Sequence, residues 1–167
     1  MSETNGASNN ERLLAAARSD NEDLIFEVFE DPDSFDINCQ DGLGNTPLHN
    51  AVRTGSITVL EHILEYDGCD VDPVNRIDKA TPLHLAVQLE HPELRLHIVE
   101  SLLEAGADTS IKDKNGHTVL DYLPSDDTAI RSLITKQKAQ ASFSRDDIAS
   151  DDDEEGDSGS GSGSDDD

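Results

Sequence analysis

The sequence predicts an all-α solenoid of about four helix–turn–helix repeats with hairpin fingers, followed by a disordered acidic tail. Three observations predict it. The tetrapeptide Thr46-Pro47-Leu48-His49 returns as Thr81-Pro82-Leu83-His84, 35 residues later. The same frame extends down to Thr118 and up to Arg12, giving spacings of 34, 35 and 37 residues. After each opening segment comes a second apolar run at helical spacing: Leu24-Ile25 with Val28-Phe29, Val59-Leu60 with Ile63-Leu64, and Ile98-Val99 with Leu102-Leu103. A period of this size marks stacked units that bury a face only against their neighbours.

Residues 1–10 are small and polar, are predicted disordered, and lack the basic-then-apolar pattern of a signal peptide. The repeat region spans 11–143, with repeats at about 11–40, 41–75, 76–112 and 113–138. In the first, Glu11–Arg18 forms an inner helix and Asn21–Phe29 an outer one, with Asn21 as cap and Glu22-Asp23 at the positive end of the dipole. In the second, Asp41-Gly42-Leu43-Gly44 makes a hairpin-like turn before Thr46, a cap, and Pro47, whose missing N–H costs nothing in a first helical turn. The third replaces the Asp-x-x-Gly turn by Arg76-Ile77-Asp78-Lys79. It also carries about four extra residues around His91-Pro92-Glu93, which lengthen the inter-helix loop or the start of the outer helix. The fourth has the turn Asp113–Gly116, a short segment from Thr118 to Leu123, and Pro124-Ser125-Asp126-Asp127 capping a final helix that runs to about Lys138. From residue 144 to 167 the Gly/Ser/Asp composition offers almost nothing to bury and predicts disorder.

The repeated Thr-Pro-Leu-His, with its period and its turn-plus-two-helix pattern, resembles the ankyrin repeat. The resemblance implies a non-enzymatic protein-binding module whose finger tips and inner helices form the binding face. Carried over by position, that face comprises Leu43 and Asn45 on the first finger; Ile77, Lys79 and Ala80 on the second; and Lys114 and His117 on the third. Asn50, Arg53 and Thr54 follow from one inner helix, and Gln88 and Leu89 from the next. The histidines of the repeated motif, His49 and His84, are implied to hydrogen-bond within the stack.

The formal charge is −25, from 37 acids and 12 bases; 11 of the acids and one base fall from Ser144 onward. Such acidity disfavours nucleic acid and anionic membranes as partners and favours a basic protein. Four repeats with an acidic tail are similar to ankyrin-type escort proteins, which implies an escort or chaperone for a basic client such as a ribosomal protein or histone. The alternative is an adaptor subunit of a regulatory complex (transcription, chromatin or proteasome assembly) with a solubilising tail. Ser150 and Ser164 each precede three aspartates, a pattern that suits an acidophilic kinase.

Cys39 and Cys69 stand at non-equivalent positions and are expected to be reduced, half-buried or buried thiols in the cytoplasm or nucleus. The histidines and cysteines have no metal-ligand spacing, and no phosphate-binding glycine loop or nucleophile elbow occurs. No enzyme, metal or cofactor is expected, and the protein is expected to be monomeric on its own.

Overall fold

The computed structural model describes residues 8–152, with side chains through Ser142. Seven α-helices and two 3₁₀ turns are found among the described residues, and no strand. The helices are α1 (Asn9–Ser19), α2 (Glu22–Phe29), α3 (Pro47–Thr54), α4 (Ile57–Glu65), α5 (Pro82–Ala86), α6 (Pro92–Glu104) and α7 (Thr128–Asp152). The 3₁₀ turns are Pro32–Ser34 and Val119–Tyr122, the latter standing where the fourth inner helix was expected. The chain forms two compact units, one ending at Ile130 and one beginning at Arg131.

In the first unit α1, α3 and α5 form an inner layer and α2, α4 and α6 an outer one. Inner helix packs on inner helix, α1 on α3 and α3 on α5, and each also packs on its own outer partner. The buried layer repeats every 35 residues: Leu13, Leu48 and Leu83 recur one per repeat, as do Ala16, Ala51 and Ala86. The left-handed caps Asp20 and Gly55 keep the same spacing, so Glu11 rather than Arg12 stands at the Thr46 position of the first repeat. Val59, Leu60 and Ile63 on α4 and Ile98, Val99 and Leu102 on α6 close the outer side. Leu24, Phe29 and Leu64 are only half-buried, because each lies at the edge of its helix's apolar stripe.

The repeated tetrapeptide explains both the start of each inner helix and the joint to the next repeat. Thr46 caps α3 by accepting from the His49 N–H at 3.3 Å. The Thr46 N–H donates to His49 Nδ1 at 3.1 Å, which leaves the ring proton on Nε2. Nε2 then donates to the Ala80 carbonyl at 2.8 Å, 31 residues away. In the next repeat, Thr81, His84 and the His117 carbonyl reproduce the arrangement. Each histidine thus satisfies a helix end and a finger carbonyl that would otherwise be buried without a partner. Thr46→Ala or Thr81→Ala should each lower the unfolding free energy by about 0.5–2 kcal/mol, with serine recovering most of it. Denaturant unfolding in which serine and alanine behave alike would count against the caps.

Several sequence expectations are corrected. Helix α1 starts at Asn9, because Ser8 and Glu11 form a reciprocal capping box. Asn9 and Asn10 are not disordered: their side chains bond the Ser34 hydroxyl at 2.6 Å and the Asp36 N–H at 2.8 Å. Residues 1–7 lie outside the described residues. Of the two places expected for the extra residues of the third repeat, the outer helix takes them, so α6 has 13 residues against nine in α4 and eight in α2. Helix α7 continues past Lys138 to Asp152. Extending a nucleated helix costs little per residue, and no glycine or proline intervenes before Gly156. The expected tail from 144 therefore begins as helix, and 153–167, with Ser164, lie outside the described residues. The side chain of Ser150 is likewise outside them. No helix among the described residues is long and apolar enough to cross a membrane.

Candidate protein-binding groove

Three fingers are built by one device, an Asx side chain that folds its own turn. Asp41 Oδ1 accepts from the N–H of Leu43 at 2.9 Å and of Asn45 at 3.0 Å. Asp113 Oδ1 does the same for Asn115 and His117. In the divergent finger Asn75 takes over, accepting from Asp78 and Ala80, both at 3.1 Å. That turn is one residue longer, and Lys79 adopts the positive φ of 54° that Gly44 and Gly116 supply elsewhere. The fingers are closed by single backbone bonds (Asp41 to Asn45, Asn75 to Ala80, Asp113 to His117) rather than by a ladder.

The fingers are laced to one another. The Arg76 N–H donates to the Leu43 carbonyl at 3.0 Å, and its guanidinium to the Gly42 carbonyl at 2.7 Å. Gly44 is required here twice over: its φ is 84°, and a Cβ would lie 2.5 Å from the Arg76 nitrogen. Asn75 Nδ2 reaches Asn45 Oδ1 at 3.0 Å beneath. Lys114 donates its N–H to the Asp78 carbonyl at 2.9 Å and pairs with the Asp78 carboxylate at 3.1 Å. The tips are therefore held in fixed register.

Between the first two fingers and the inner helices lies a groove of about 260 Å³, lined by Leu43, Asn45, Arg53, Asn75, Ile77, Asp78 and Leu85. Leu43 and Ile77 are 46% and 50% exposed, unusual for large aliphatic side chains. A wider hollow of about 580 Å³ adjoins the first finger, lined by Glu11, Leu14 and Arg18 of α1, by Asp41 and Gly42 of the finger, and by Arg76 of the next finger.

Four of the sequence-predicted positions, Leu43, Asn45, Arg53 and Ile77, line the groove together. Asn45 itself and several others are structural. Asn45, Asn50 and Ala80 are buried, at 3%, 1% and 4% exposure. Asn45 locks against Asn75, Asn50 folds back onto the Thr46 carbonyl at 3.1 Å, and Ala80 supplies the acceptor for His49. Thr54 is exposed, yet its hydroxyl ties α3 to the Ala17 carbonyl at 3.1 Å. Leu89 is half-buried, its carbonyl held by Arg95 at 2.6 Å. Gln88 is exposed but bonds the His84 carbonyl, outside the groove. Lys79, Lys114 and His117 are exposed finger residues that do not line it. His117 faces Tyr122 edge-on, and the Tyr122 hydroxyl donates to Asp113.

Sequence reasoning missed Asn75, Asp78 and Leu85. The missing signal was the frame itself: Leu85 occupies the position of Asn50, but without an amide to turn back onto the helix it opens onto the groove.

Three titratable groups are shifted by their surroundings. Burial would raise the Asp41 carboxyl, but the N–H groups of Asn45 and Leu43 outweigh it and hold Asp41 below its ordinary value. Burial, with Asp36 and Asp70 nearby, raises the Cys39 and Cys69 thiols to about 11, the opposite of an activated nucleophile. Both cysteines are free, Cys39 buried and Cys69 half-buried. Among the described residues no group of three His, Cys, Asp or Glu could hold a metal.

Comparison with known proteins adds the family. A model described as ankyrin repeats in three copies matches residues 13–113. An ankyrin repeat-containing protein of Saccharomyces cerevisiae, YGL242C, is 40% identical over 134 residues, 74% of each chain. Neurogenic locus notch homolog protein 1 of Xenopus laevis is 34% identical over 66% of this chain, and mouse ankyrin repeat and SOCS box protein 6 is 37% identical over 55%. The chain spans only 4% and 19% of those two, so that likeness concerns the repeats alone.

Proposed function

This chain belongs to the ankyrin-repeat family, whose repeats bind other proteins, and we propose that it is an adaptor that holds a segment of another protein in the groove between its first two fingers. One observation carries this most directly. Two large aliphatic side chains, Leu43 and Ile77, stand half in solvent on neighbouring finger tips whose backbones are bonded to each other. A pre-ordered apolar pair beside polar groups is what an interface anchor needs, because little side-chain or loop entropy is lost on binding.

An escort for a basic client draws on a different observation. The outer helices α2, α4 and α6 carry eight acids against one base, and nine further acids follow Ser150. A basic client would meet those surfaces and not the groove.

Salt separates the two. The tagged full chain is purified from its native cells at about 0.15 M and about 0.5 M salt, where the screening length falls from about 8 Å to roughly half that. An adaptor keeps a stoichiometric partner at both, and Leu43→Ser with Ile77→Ser removes it. An escort loses its client at the higher salt and keeps it in the double variant. Loss of a partner only at high salt, with the finger variant unaffected, would overturn the adaptor assignment.

A further inference from the structure

The charge of this protein is divided by layer. The outer helices carry eight acids and one base, whereas the inner helices, the fourth-repeat 3₁₀ turn and the three fingers together carry six bases and five acids. Net charge alone would predict a basic ligand everywhere; the layers do not agree with it.

The state of the individual charges sharpens the contrast. On the finger side the acids are already engaged. Asp41 and Asp113 fold their own turns, and Asp78 is paired with Lys114. The cations divide: Arg12 pairs with Glu27 and Lys114 with Asp78, and four others are left. Among the described residues Arg18, Arg53, Arg76 and Lys79 have no carboxylate within 4.0 Å. Arg53 reaches only the Asn50 amide oxygen at 3.3 Å, and Arg76 only a backbone carbonyl. Arg53, Leu43 and Ile77 line the groove itself, beside the paired Asp78. Arg18 and Arg76 line the hollow beside Glu11 and Asp41, whose carboxylates accept from the Ser8 and Leu43 N–H groups.

We propose that this face recognises an acidic segment of another protein, carrying an aliphatic anchor that seats between Leu43 and Ile77 while its carboxylates meet Arg18, Arg53 and Arg76. The inference rests on the groove being the binding face and adds the chemistry of what it binds. Long-range repulsion from the acidic chain does not forbid it. Packed helix layers are about 8–10 Å apart, at or beyond the screening length of about 8 Å at physiological salt. A carboxylate seated on a guanidinium is far closer, and its charge-assisted bonds decide the local balance. Residues 151–167 match only half of this chemistry, being acidic but without an aliphatic side chain.

The test is selection of random 16-residue peptides displayed against the full-length protein, with binding of the recovered peptides measured by fluorescence anisotropy. The expected ligands are enriched in Asp and Glu around Leu, Ile or Val. Arg53→Glu with Arg76→Glu should weaken them at least about tenfold. Leu43→Ser with Ile77→Ser should do likewise; both positions are about half exposed, and circular dichroism of each variant checks that it stays folded. Recovery of basic or uncharged ligands that bind in the groove would overturn the charge assignment and leave the binding face standing. Acidic ligands indifferent to both double variants would overturn the location. Failure to enrich any peptide would overturn the groove as a segment-binding face. A synthetic 151–167 peptide that displaces the selected ligand as well as the ligand's own unlabelled form would overturn the aliphatic half of the proposal.

Discussion

Leu83→Ala is expected to cost about 2–5 kcal/mol of unfolding free energy, the range for emptying a fully buried leucine site. Leu83 has 0% exposure and sits on α5, the shortest helix of the first unit at five residues. So short a helix has almost no stability of its own, so its place depends on what it packs against. It packs on α3, on α6 and on the 3₁₀ turn Val119–Tyr122. The cavity has little room to collapse, because Thr81 and His84 pin the backbone through the cap and the His117 carbonyl. Stacked repeats communicate only through neighbours, so the damage should uncouple the last repeat from the first two. Urea unfolding should show a lower midpoint together with a shallower transition, the sign of lost two-state behaviour. Leu48→Ala, at the equivalent place on α3, should fall in the same energy range, since Leu48 is 1% exposed. A change below about 0.5 kcal/mol at both sites would mean that the inner layer does not hold the stack.

His49→Ala is expected to cost about 2–6 kcal/mol, since it strands two buried groups, the Thr46 N–H and the Ala80 carbonyl, at about 1–3 kcal/mol each. It should also change the pH dependence. Burial holds the His49 imidazole below its ordinary value of 6.5, only partly opposed by the Ala80 carbonyl. The unfolded chain therefore takes up a proton at this residue as pH falls through about 6.5, while the folded chain does not. The contribution of His49 is complete above that pH. It declines below it by up to about 1.4 kcal/mol per pH unit, until the folded ring protonates too. Subtracting the stability profile of His49→Ala from that of the unaltered protein should isolate this slope. Asp41 does not interfere, because its depressed carboxyl gives up stability only below about pH 3.8. A difference profile that is flat between pH 5 and 7 would show that His49 does not carry the joint.

How much of this was legible in the sequence differs from element to element. The inner helices and the leucine layer were, because a tetrapeptide that caps, starts and joins a helix leaves the same letters in each copy. The outer helices were legible through spacing alone. The surface was not, because a frame position gives the residue's place but not the direction of its side chain. Asn45 and Asn50 read as polar surface, yet their amides find partners inside the fold at Asn75 and Thr46. Leu85 carried no assignment from its frame position, yet it opens onto the groove. The net charge does not resolve the surface either. It averages over two layers whose balance differs in sign, and only placing each residue on its element separates them.

The most direct test of the binding face is site-specific photocrosslinking in the native cell. A benzophenone side chain replaces Leu43 or Ile77 on the fingers in one set of variants, and Glu61 or Glu100 on the outer helices in another. Adducts of one discrete size from both finger positions, weak or missing from the outer positions, are the predicted result. Adducts from the outer helices alone would contradict it, and would place the partner on the acidic side of the repeats.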